Sequence, residues 1–169
     1  MNALKDLVIW LVTIVVIAMF FDLHGDKLNN NFISTFLPHK GRVQGNGSIE
    51  FTKSRNGHFY IQAQINNRNV TFLLDTGATD IVLSKRDAEY VGINLKNIEN
   101  FKKYETAKGT LDAGVIKIPR MRIGNFVISD IQASVNSHSM SYSLLGMSFL
   151  KYFDFIMKDN KLILYRDKR

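Results

Sequence analysis

Apolar and polar side chains alternate along most of the chain, and a period of about two predicts β-strands rather than helices. The alternation is clear at Ile49 and Phe51 and again over 59–65, after a turn at Asn56-Gly57, which is a strong hairpin signal. A second turn is expected at 66–69. Short strands separated by turns at intervals of about 8–12 residues predict an all-β, barrel-like domain.

Two short helices interrupt this pattern of strands. Ser84 is a good N-cap, Asp87 can complete a capping-box-like arrangement with it, and Gly92 is expected to close this first helix. A second short helix is expected within 147–152, before the last pair of strands. Three more hairpin turns are expected at Lys108-Gly109, Gly124-Asn125 and Asp159-Asn160.

The N-terminal segment has a different pattern, because every residue from Leu7 to Phe21 except Thr13 is apolar. As a helix this run would span about 22 Å, near the length that crosses a bilayer. The residues after it offer no small-x-small cleavage site, so an uncleaved anchor is favoured over a signal peptide or a buried core helix. The predicted organisation is a membrane anchor over 1–25, a linker over 26–47 and one folded domain over 48–169.

Composition and charge limit the chemistry that the domain can perform. The chain has 169 residues, no Cys and a formal net charge of +7. Disulfides and thiolate sites are excluded, and none of the four His residues lies at a ligand-like spacing from another. We therefore expect no metal and no cofactor. The basic residues lack an aromatic-plus-basic motif, so we expect a solvated or membrane-facing surface and no nucleic-acid binding.

The tripeptide Asp75-Thr76-Gly77 is the candidate site. It follows the apolar run Phe72-Leu73-Leu74 and precedes a second apolar run at 81–83, so an acid lies in a tight turn between two strands. Gly permits close approach of another backbone because it has no Cβ. An ordinary surface turn also favours Asp and Gly, but the two flanking runs favour a structured site.

The stretch FLLDTGATDIVLS (72–84) resembles the active-site loop of aspartic proteases, and its Asp-Thr-Gly-Ala form is closest to retropepsins. Leu144-Leu145-Gly146 resembles the second element of that family, although alone it could be a core strand that ends at Gly. The hairpin predicted over 104–110 has the position of the flap, or is an ordinary hairpin. From about 47 to 165 the chain is similar to the bacterial retropepsin-like aspartic proteases of clan AA, of the membrane-anchored, single-lobe type.

This resemblance implies an all-β fold: a retropepsin-like closed barrel lobe with one or two short helices, preceded by an N-terminal transmembrane helix. It also implies an aspartic endopeptidase, in which two carboxylates share a proton and activate one water. The chain contains a single Asp-Thr-Gly, so the dyad would be Asp75 with Asp75 of a second copy in a homodimer. Thr76 would lock the two loops across the axis, and Gly77 would leave room for their close approach.

The resemblance further implies binding of protein or peptide substrates by residues of the loop, the flap and the second element. These residues are Ala78, Ala107, Lys108, Gly109 and Leu145. Ala78 cannot donate a hydrogen bond to an ionised carboxylate, as Ser or Thr could. We therefore expect activity to extend to mildly acidic or near-neutral pH.

Three expectations concern location, processing and the competing function. We expect a single-pass protein of a bacterial inner membrane with the protease domain in the periplasm, although the flanking basic residues do not fix the orientation. Self-cleavage in the linker, at Phe32-Ile33 or Phe36-Leu37, would release a soluble protease. The competing function is a catalytically silent, membrane-tethered module that holds extended peptides by strand addition.

Overall fold

Short strands connected by tight turns make up most of the folded region. A computed structural model describes Trp10 and residues 12–15, 39–106 and 109–166. The strands in this part of the chain are β1 (Arg42–Val43), β2 (Ile49–Thr52), β3 (Tyr60–Ile65), β4 (Arg68–Leu74), β5 (Val82–Leu83), β6 (Phe101–Thr106), β7 (Gly109–Ile123), β8 (Phe126–Asn136), β9 (Ser143–Leu145), β10 (Asp154–Lys158) and β11 (Lys161–Tyr165). The helices between residues 39 and 166 are α1 (Lys85–Tyr90), a 3₁₀ turn (Leu95–Asn97) and α2 (Met147–Leu150). The predicted all-β class is confirmed.

Six strands close into a barrel in the order β3-β4-β9-β5-β8-β7, because β7 pairs back with β3. At the closure Gln64 lies opposite Arg122, and Ile65 lies opposite Met121. Strand β6 extends the sheet beyond β7 and forms a hairpin with it. The predicted closed barrel is therefore confirmed, and closure removes free strand edges from this part of the fold.

The barrel interior is filled by every second side chain of its strands. In β3, Ile61, Ala63 and Ile65 are buried, while the residues between them are only partly covered. Successive side chains of a strand point to opposite faces, so the period of two in the sequence becomes one buried and one exposed face. Other large side chains that fill the core are Phe72, Leu83, Ile118, Ile131 and Phe149.

A second, four-stranded sheet has the order β1-β2-β11-β10. Its inner face buries Ile49 and Phe51 of β2 together with Leu162 and Leu164 of β11, which pair across the two strands. These residues belong to the same core cluster as the barrel interior, so the two sheets share one core. Strands β1 and β10 are the two edge strands of this sheet.

The turn at Asn56-Gly57 forms, but the hairpin expected around it does not. The amide of Gly57 donates to the carbonyl oxygen of Ser54 at 2.9 Å, and Gly57 has a φ of +84°. The strands on its two sides, β2 and β3, belong to different sheets. By contrast Asn66 and Asn67, with φ of 48° and 62°, close the β3–β4 hairpin as expected.

Part of the predicted linker belongs to the folded domain. In β1, Arg42 pairs with Glu50 and Val43 pairs with Ile49. A Cβ at Gly41 would collide with the side chains of Ile49 and Phe51, so the chain there lies directly on the core. The folded domain therefore includes residues ahead of position 48.

The predicted membrane anchor over 1–25 lies largely outside the described residues. Trp10 and residues 12–15 are helical and exposed. Within the ranges that the structure describes, no helix combines the length and the apolar character needed to cross a membrane. Most of the predicted linker, including the two expected self-cleavage sites, is also outside these ranges.

Candidate active site

Asp75 lies just after β4, in a loop that is bonded to the neighbouring strand β9. The two strands run parallel, with Leu74 opposite Leu145, and the Asp75 amide donates to the Leu145 carbonyl oxygen at 3.0 Å. The loop then turns back, and the Ala78 amide donates to the Asp75 carbonyl oxygen at 3.1 Å. Because Leu74 points into the barrel, the chain leaves the strand with Asp75 half-buried at the rim.

The Asp75 carboxylate is held by the backbone of its own loop. The amide of Gly77 donates to Oδ1 of Asp75 at 2.9 Å. A Cβ at Gly77 would lie 3.2 Å from the same oxygen. Glycine therefore leaves room for this bond, and the bond orients the acid.

Gly146 allows the second predicted element, Leu144-Leu145-Gly146, to pack closely against the active-site loop. A Cβ at this position would collide with the carbonyl oxygens of Ala78 and Asp80. The amide of Met147 donates to the Ala78 carbonyl oxygen at 2.9 Å, and the amide of Ser148 donates to the Thr79 carbonyl oxygen at 2.8 Å. The close approach that only Gly allows is thus what joins Leu144-Leu145-Gly146 to the loop.

A cleft of about 510 Å³ separates the active-site loop from the β6–β7 hairpin. The loop and β5 contribute one wall, the hairpin contributes a second, and the segment after β8 with β9 contributes a third. The residues that line it are Asp75, Gly77, Ala78, Thr79, Asp80, Val82, Tyr104, Glu105, Leu111, Ala113, Asn136, Met140 and Leu144. An acid thus stands in a groove whose lining is mainly apolar beyond the loop.

Several residues predicted from the sequence meet in this cleft. Asp75, Gly77 and Ala78 line it, and Thr76 is exposed beside them. Leu145 was expected to bind substrate, but it is fully buried behind the loop, and its neighbour Leu144 lines the cleft instead.

The predicted tip of the flap is described only in part. Gly109 begins β7, with a φ of +109°, and pairs with Thr106 across the hairpin. The hairpin predicted over 104–110 is therefore formed by β6 and β7. Ala107 and Lys108 lie outside the described residues.

Asp80 is a residue of this site that sequence analysis missed. Its Oδ2 accepts hydrogen bonds from Lys102 Nζ and from the Tyr104 hydroxyl, each at 2.6 Å. Burial raises the pKa of Asp80, but the two hydrogen bonds and the positive charges of Lys102 and Lys151 together outweigh it and hold this pKa below its ordinary value. Burial and the same bond to Asp80 raise the pKa of Tyr104. The sequence does carry a signal for this contact. Lys102 and Tyr104 lie two positions apart in a strand, so their side chains share one face and can reach the same acid.

A buried network behind the cleft was also missed. The amide of Asp87 donates to Ser84 Oγ at 3.1 Å, which is the predicted N-cap of α1. The Asp87 carboxylate, however, accepts from Ser143 Oγ at 2.7 Å, and Ser143 Oγ in turn accepts from the Ser84 amide at 3.0 Å. Ser143 therefore completes the capping arrangement from β9, and it ties the helix to the strand that supports Asp75.

The chemistry available here is that of a carboxylate in a water-accessible groove. Asp75 can accept a proton from a water molecule, which makes that water a nucleophile. The described residues hold no group of three or more His, Asp or Glu side chains suited to a metal ion.

Comparison with known proteins agrees with this geometry. Residues 61–152 match the sequence model of the family described as gag-polyprotein putative aspartyl protease. A retropepsin-like aspartic protease from Rickettsia conorii has a similar structure, with a TM-score of 0.64 and 39% sequence identity. The match covers 70% of this chain and 89% of that one.

Two bacterial relatives are similar over almost the whole chain. An uncharacterized protein of Rickettsia prowazekii (strain Madrid E) is 36% identical over 157 residues, which covers 93% of this chain and 67% of the relative. An uncharacterized protein of Sinorhizobium sp, encoded in the cobV 5′ region, is 28% identical over 175 residues. That match covers 98% of this chain and 74% of the relative.

Proposed function

This chain belongs to the family of gag-polyprotein putative aspartyl proteases, with a retropepsin-like fold, and on that premise we propose that it is an aspartic endopeptidase. The observation that carries the proposal is the placement of Asp75. Its carboxylate is half-buried at a cleft, and one of its oxygens is fixed by the Gly77 amide. Such an acid can activate the water that attacks a peptide carbonyl carbon.

The reaction needs a second carboxylate, which we propose is Asp75 of a second copy. One acid takes a proton from water while the other gives a proton to the carbonyl oxygen. Of the other acids that line the cleft, Asp80 is bonded to Lys102 and Tyr104, and Glu105 lies on the hairpin strand. A two-fold axis beside the loop would place two Asp75 carboxylates about 3 Å apart, where they share one proton.

The substrate we propose is an extended segment of a protein or peptide. Most of the lining beyond the loop is formed by apolar side chains such as Val82, Leu111 and Leu144, which suit alternate side chains of an extended chain. The β6–β7 hairpin forms the opposite wall, and its movement would admit substrate and then exclude water.

Cleavage of a peptide library by the full chain and by its Asp75→Asn variant tests this proposal. The variant keeps the size of the side chain, so we expect it to fold and to lose about 10²- to 10⁴-fold in kcat. Asp159→Asn, in the β10–β11 turn, is the matched control and should cleave normally. Equal cleavage by the wild-type and Asp75→Asn chains would contradict the proposal.

Mixing the two chains tests the shared dyad separately. If each active site needs two Asp75 residues, activity should fall as the square of the wild-type fraction. The chains are denatured and refolded together so that subunits mix at random. A fall that is linear, or that stays above the linear line, would then mean that one copy of Asp75 is sufficient, and the dyad proposal would be wrong.

The alternative function is a membrane-tethered module that binds peptides without cutting them. The observation that favours it is that one chain supplies only one Asp-Thr-Gly. A wild-type chain that binds peptides from the library but cleaves none, at any concentration or pH, would support the module. Loss of cleavage with retained binding in Asp75→Asn would support the enzyme.

We propose that the apolar run over 7–21 anchors the protein in a bacterial inner membrane, with the protease domain in the periplasm. We also propose that the protease releases itself by cutting at Phe32-Ile33 or Phe36-Leu37. Membrane fractionation and protease accessibility in cells test the first idea. Identical N-termini on expressed wild-type and Asp75→Asn chains would exclude self-release.

A further inference from the structure

One outer face of the barrel presents amide, hydroxyl and guanidinium groups. Gln64 of β3 lies opposite Asn69 of β4 on one side and opposite Arg122 of β7 on the other, and residues that lie opposite each other share a face. Arg120, two positions before Arg122, lies on the same face, opposite Ser129 of β8. This surface is termed the β3–β7 face, and its members are Gln62, Gln64, Asn69, Arg120, Arg122 and Ser129.

The two arginines of the β3–β7 face carry charge that no neighbouring acid neutralises. Both are exposed, and neither takes part in the ion pairs formed within residues 39–106 and 109–166. The segment 39–74, which supplies β3 and β4, contains five Lys or Arg and one acid, Glu50. Glu50 is paired with a lysine at 3.0 Å, and so is Asp130, the acid that follows Ser129. The face is therefore positively charged.

The described part of the domain begins beside this face. The amide of Gln62 donates to the carbonyl oxygen of His39 at 2.8 Å, so the start of the domain lies against β3. The β7–β8 turn is packed on the strand that follows, because a Cβ at Gly124 would lie 3.3 Å from a methyl carbon of Val43. Any chain that connects the apolar run over 7–21 to the domain must therefore join it next to the β3–β7 face.

This connection is short. Seventeen residues, 22–38, lie between the apolar run and His39, and even a fully extended chain of that length spans at most about 60 Å. With the run in a membrane, the domain stays within this distance of the lipid surface, and a second contact with the lipid becomes intramolecular. Each basic residue near an anionic lipid surface favours that contact about fivefold, so two arginines favour it about 25-fold.

We propose that the β3–β7 face lies against the anionic lipid headgroups of the membrane in which the run over 7–21 is anchored. A guanidinium suits this role because it can bind a phosphate through two parallel hydrogen bonds. The side-chain amides of Gln62, Gln64 and Asn69 supply further donors for headgroup oxygens. The inference rests on the proposed anchor for its membrane, whereas the choice of surface rests on the unpaired arginines and on the position of His39. The contact fixes the orientation of the domain on the bilayer.

A fluorophore on an introduced cysteine tests the contact, because the chain has no cysteine of its own. Ser129→Cys places the label opposite Arg120. The labelled full chain is reconstituted in phosphatidylcholine vesicles, with or without about one-third phosphatidylglycerol, that carry a quencher on the lipid headgroups. We expect strong quenching on the anionic vesicles and little on phosphatidylcholine alone. Salt at 1 M should abolish it, since the Debye length then falls to about 3 Å.

A label at a distant position is the first control. Asp112→Cys lies on the same strand as Arg120, in the hairpin with β6 and about 26 Å further along the strand. Its label should stay unquenched on both kinds of vesicle. Equal quenching of the two labels would mean that the domain has no preferred orientation, and this would overturn the proposal.

Charge variants identify the side chains that make the contact. Arg120→Gln combined with Arg122→Gln should lower the ratio of quenched to unquenched Ser129→Cys label about 25-fold. Lys96→Gln combined with Lys103→Gln is the matched control, because it removes the same charge from exposed lysines outside this face and should leave the ratio unchanged. Equal losses in the two double variants would show that only the overall charge matters, and the proposed face would be wrong.

Flotation of the vesicles separates this inference from the proposed anchor. A chain that floats with both kinds of vesicle, but whose label at 129 is never quenched, would keep the anchor and exclude the face. A chain that floats only with anionic vesicles, with the label quenched, would keep the face and exclude the anchor. Flotation with neither would exclude both. Quenching that follows the number of chains per vesicle rather than the lipid charge would mean that a second copy covers the face, and this would also overturn the inference.

Discussion

Asp80 in the active-site loop accepts a hydrogen bond of 2.6 Å from the hydroxyl of Tyr104 in β6, so the loop that carries Asp75 is joined directly to the hairpin. Lys102 donates to the same carboxylate oxygen at 2.6 Å, and its ammonium lies 4.8 Å from the centre of the Tyr104 ring. The Tyr104 oxygen also lies 3.3 Å from Ser134 Oγ on β8. These contacts set the position of the hairpin's base relative to the loop across the cleft.

Tyr104→Phe should loosen the hairpin without altering Asp75. The change removes one hydrogen bond to a charged group, a contribution of about 1.5–3 kcal/mol. We expect KM to rise about tenfold while kcat changes less, because in the proposed mechanism the hairpin holds substrate and Asp75 performs the chemistry. Peptide cleavage kinetics measure the split between the two constants.

Hydrogen exchange offers a readout that does not depend on activity. Amides over 101–106 should exchange faster in Tyr104→Phe than in the wild type. Tyr90→Phe is the matched control, because the Tyr90 side chain is largely exposed and outside the cleft. Unchanged KM together with unchanged exchange would show that the bond to Asp80 does not position the hairpin.

The contact between loop and hairpin should have a defined pH window. Burial raises the pKa of Asp80, but the hydrogen bonds from Lys102 and Tyr104 and the positive charges of Lys102 and Lys151 together outweigh it. The folded-state pKa therefore lies below the unfolded value of about 3.9. The stabilisation is therefore present above pH 4 or so and is lost as pH falls through the lowered pKa. The hydrogen bond to Asp80 raises the pKa of Lys102, so the alkaline limit lies above about pH 10.

The measurement is the free energy of unfolding of the wild type and of Asp80→Asn between pH 2 and 7. The difference between the two should be constant at the upper end of this range and should shrink below about pH 4. Asp130→Asn is the control, since Asp130 forms an exposed pair with Lys117 at 3.0 Å. A difference that grows on acidification would contradict the assigned direction of the pKa shift.

The sequence was sufficient to predict the strands, the barrel and the placement of Asp75. The period of two indicates which residues face the core, as the alternation of buried and partly buried residues in β3 shows. This alternation gives no information where two adjacent residues are both apolar. Leu144 and Leu145 are chemically alike, so the pattern could not tell which of them faces the cleft and which is buried.

Contacts between segments far apart in the chain could not be predicted from local sequence patterns. Asn56-Gly57 is a local turn signal, and it forms the turn while tertiary packing sends β2 and β3 to different sheets. The bonds of Asp80 to Tyr104 and of Asp87 to Ser143 join residues 24 and 56 positions apart. Such pairs follow from the path of the whole chain, which no short pattern contains.

Gly146→Ala should disrupt the active-site loop. The new Cβ would collide with the carbonyl oxygens of Ala78 and Asp80, which are backbone atoms and cannot rotate away. We expect a loss of about 1–3 kcal/mol in the free energy of unfolding, as for overpacked cores, and a large loss of cleavage. Gly45→Ala is the control, because no atom lies within 4 Å of a Cβ built there. Equal stabilities of the two variants would show that the loop accommodates the methyl group.

Ser143→Ala should be costly although Ser143 lies outside the cleft. Its hydroxyl donates to Oδ2 of the buried Asp87 carboxylate at 2.7 Å and accepts from the Ser84 amide at 3.0 Å, so one substitution removes a partner from each of two buried polar atoms. At about 1–3 kcal/mol for each atom that loses its partner, we expect a loss of at least about 2 kcal/mol. Chemical denaturation measures it. Arg86→Ala removes only an exposed partner of Asp87 and should cost less than about 1 kcal/mol. If the two variants were equally stable, the network would not be what fixes α1 to β9.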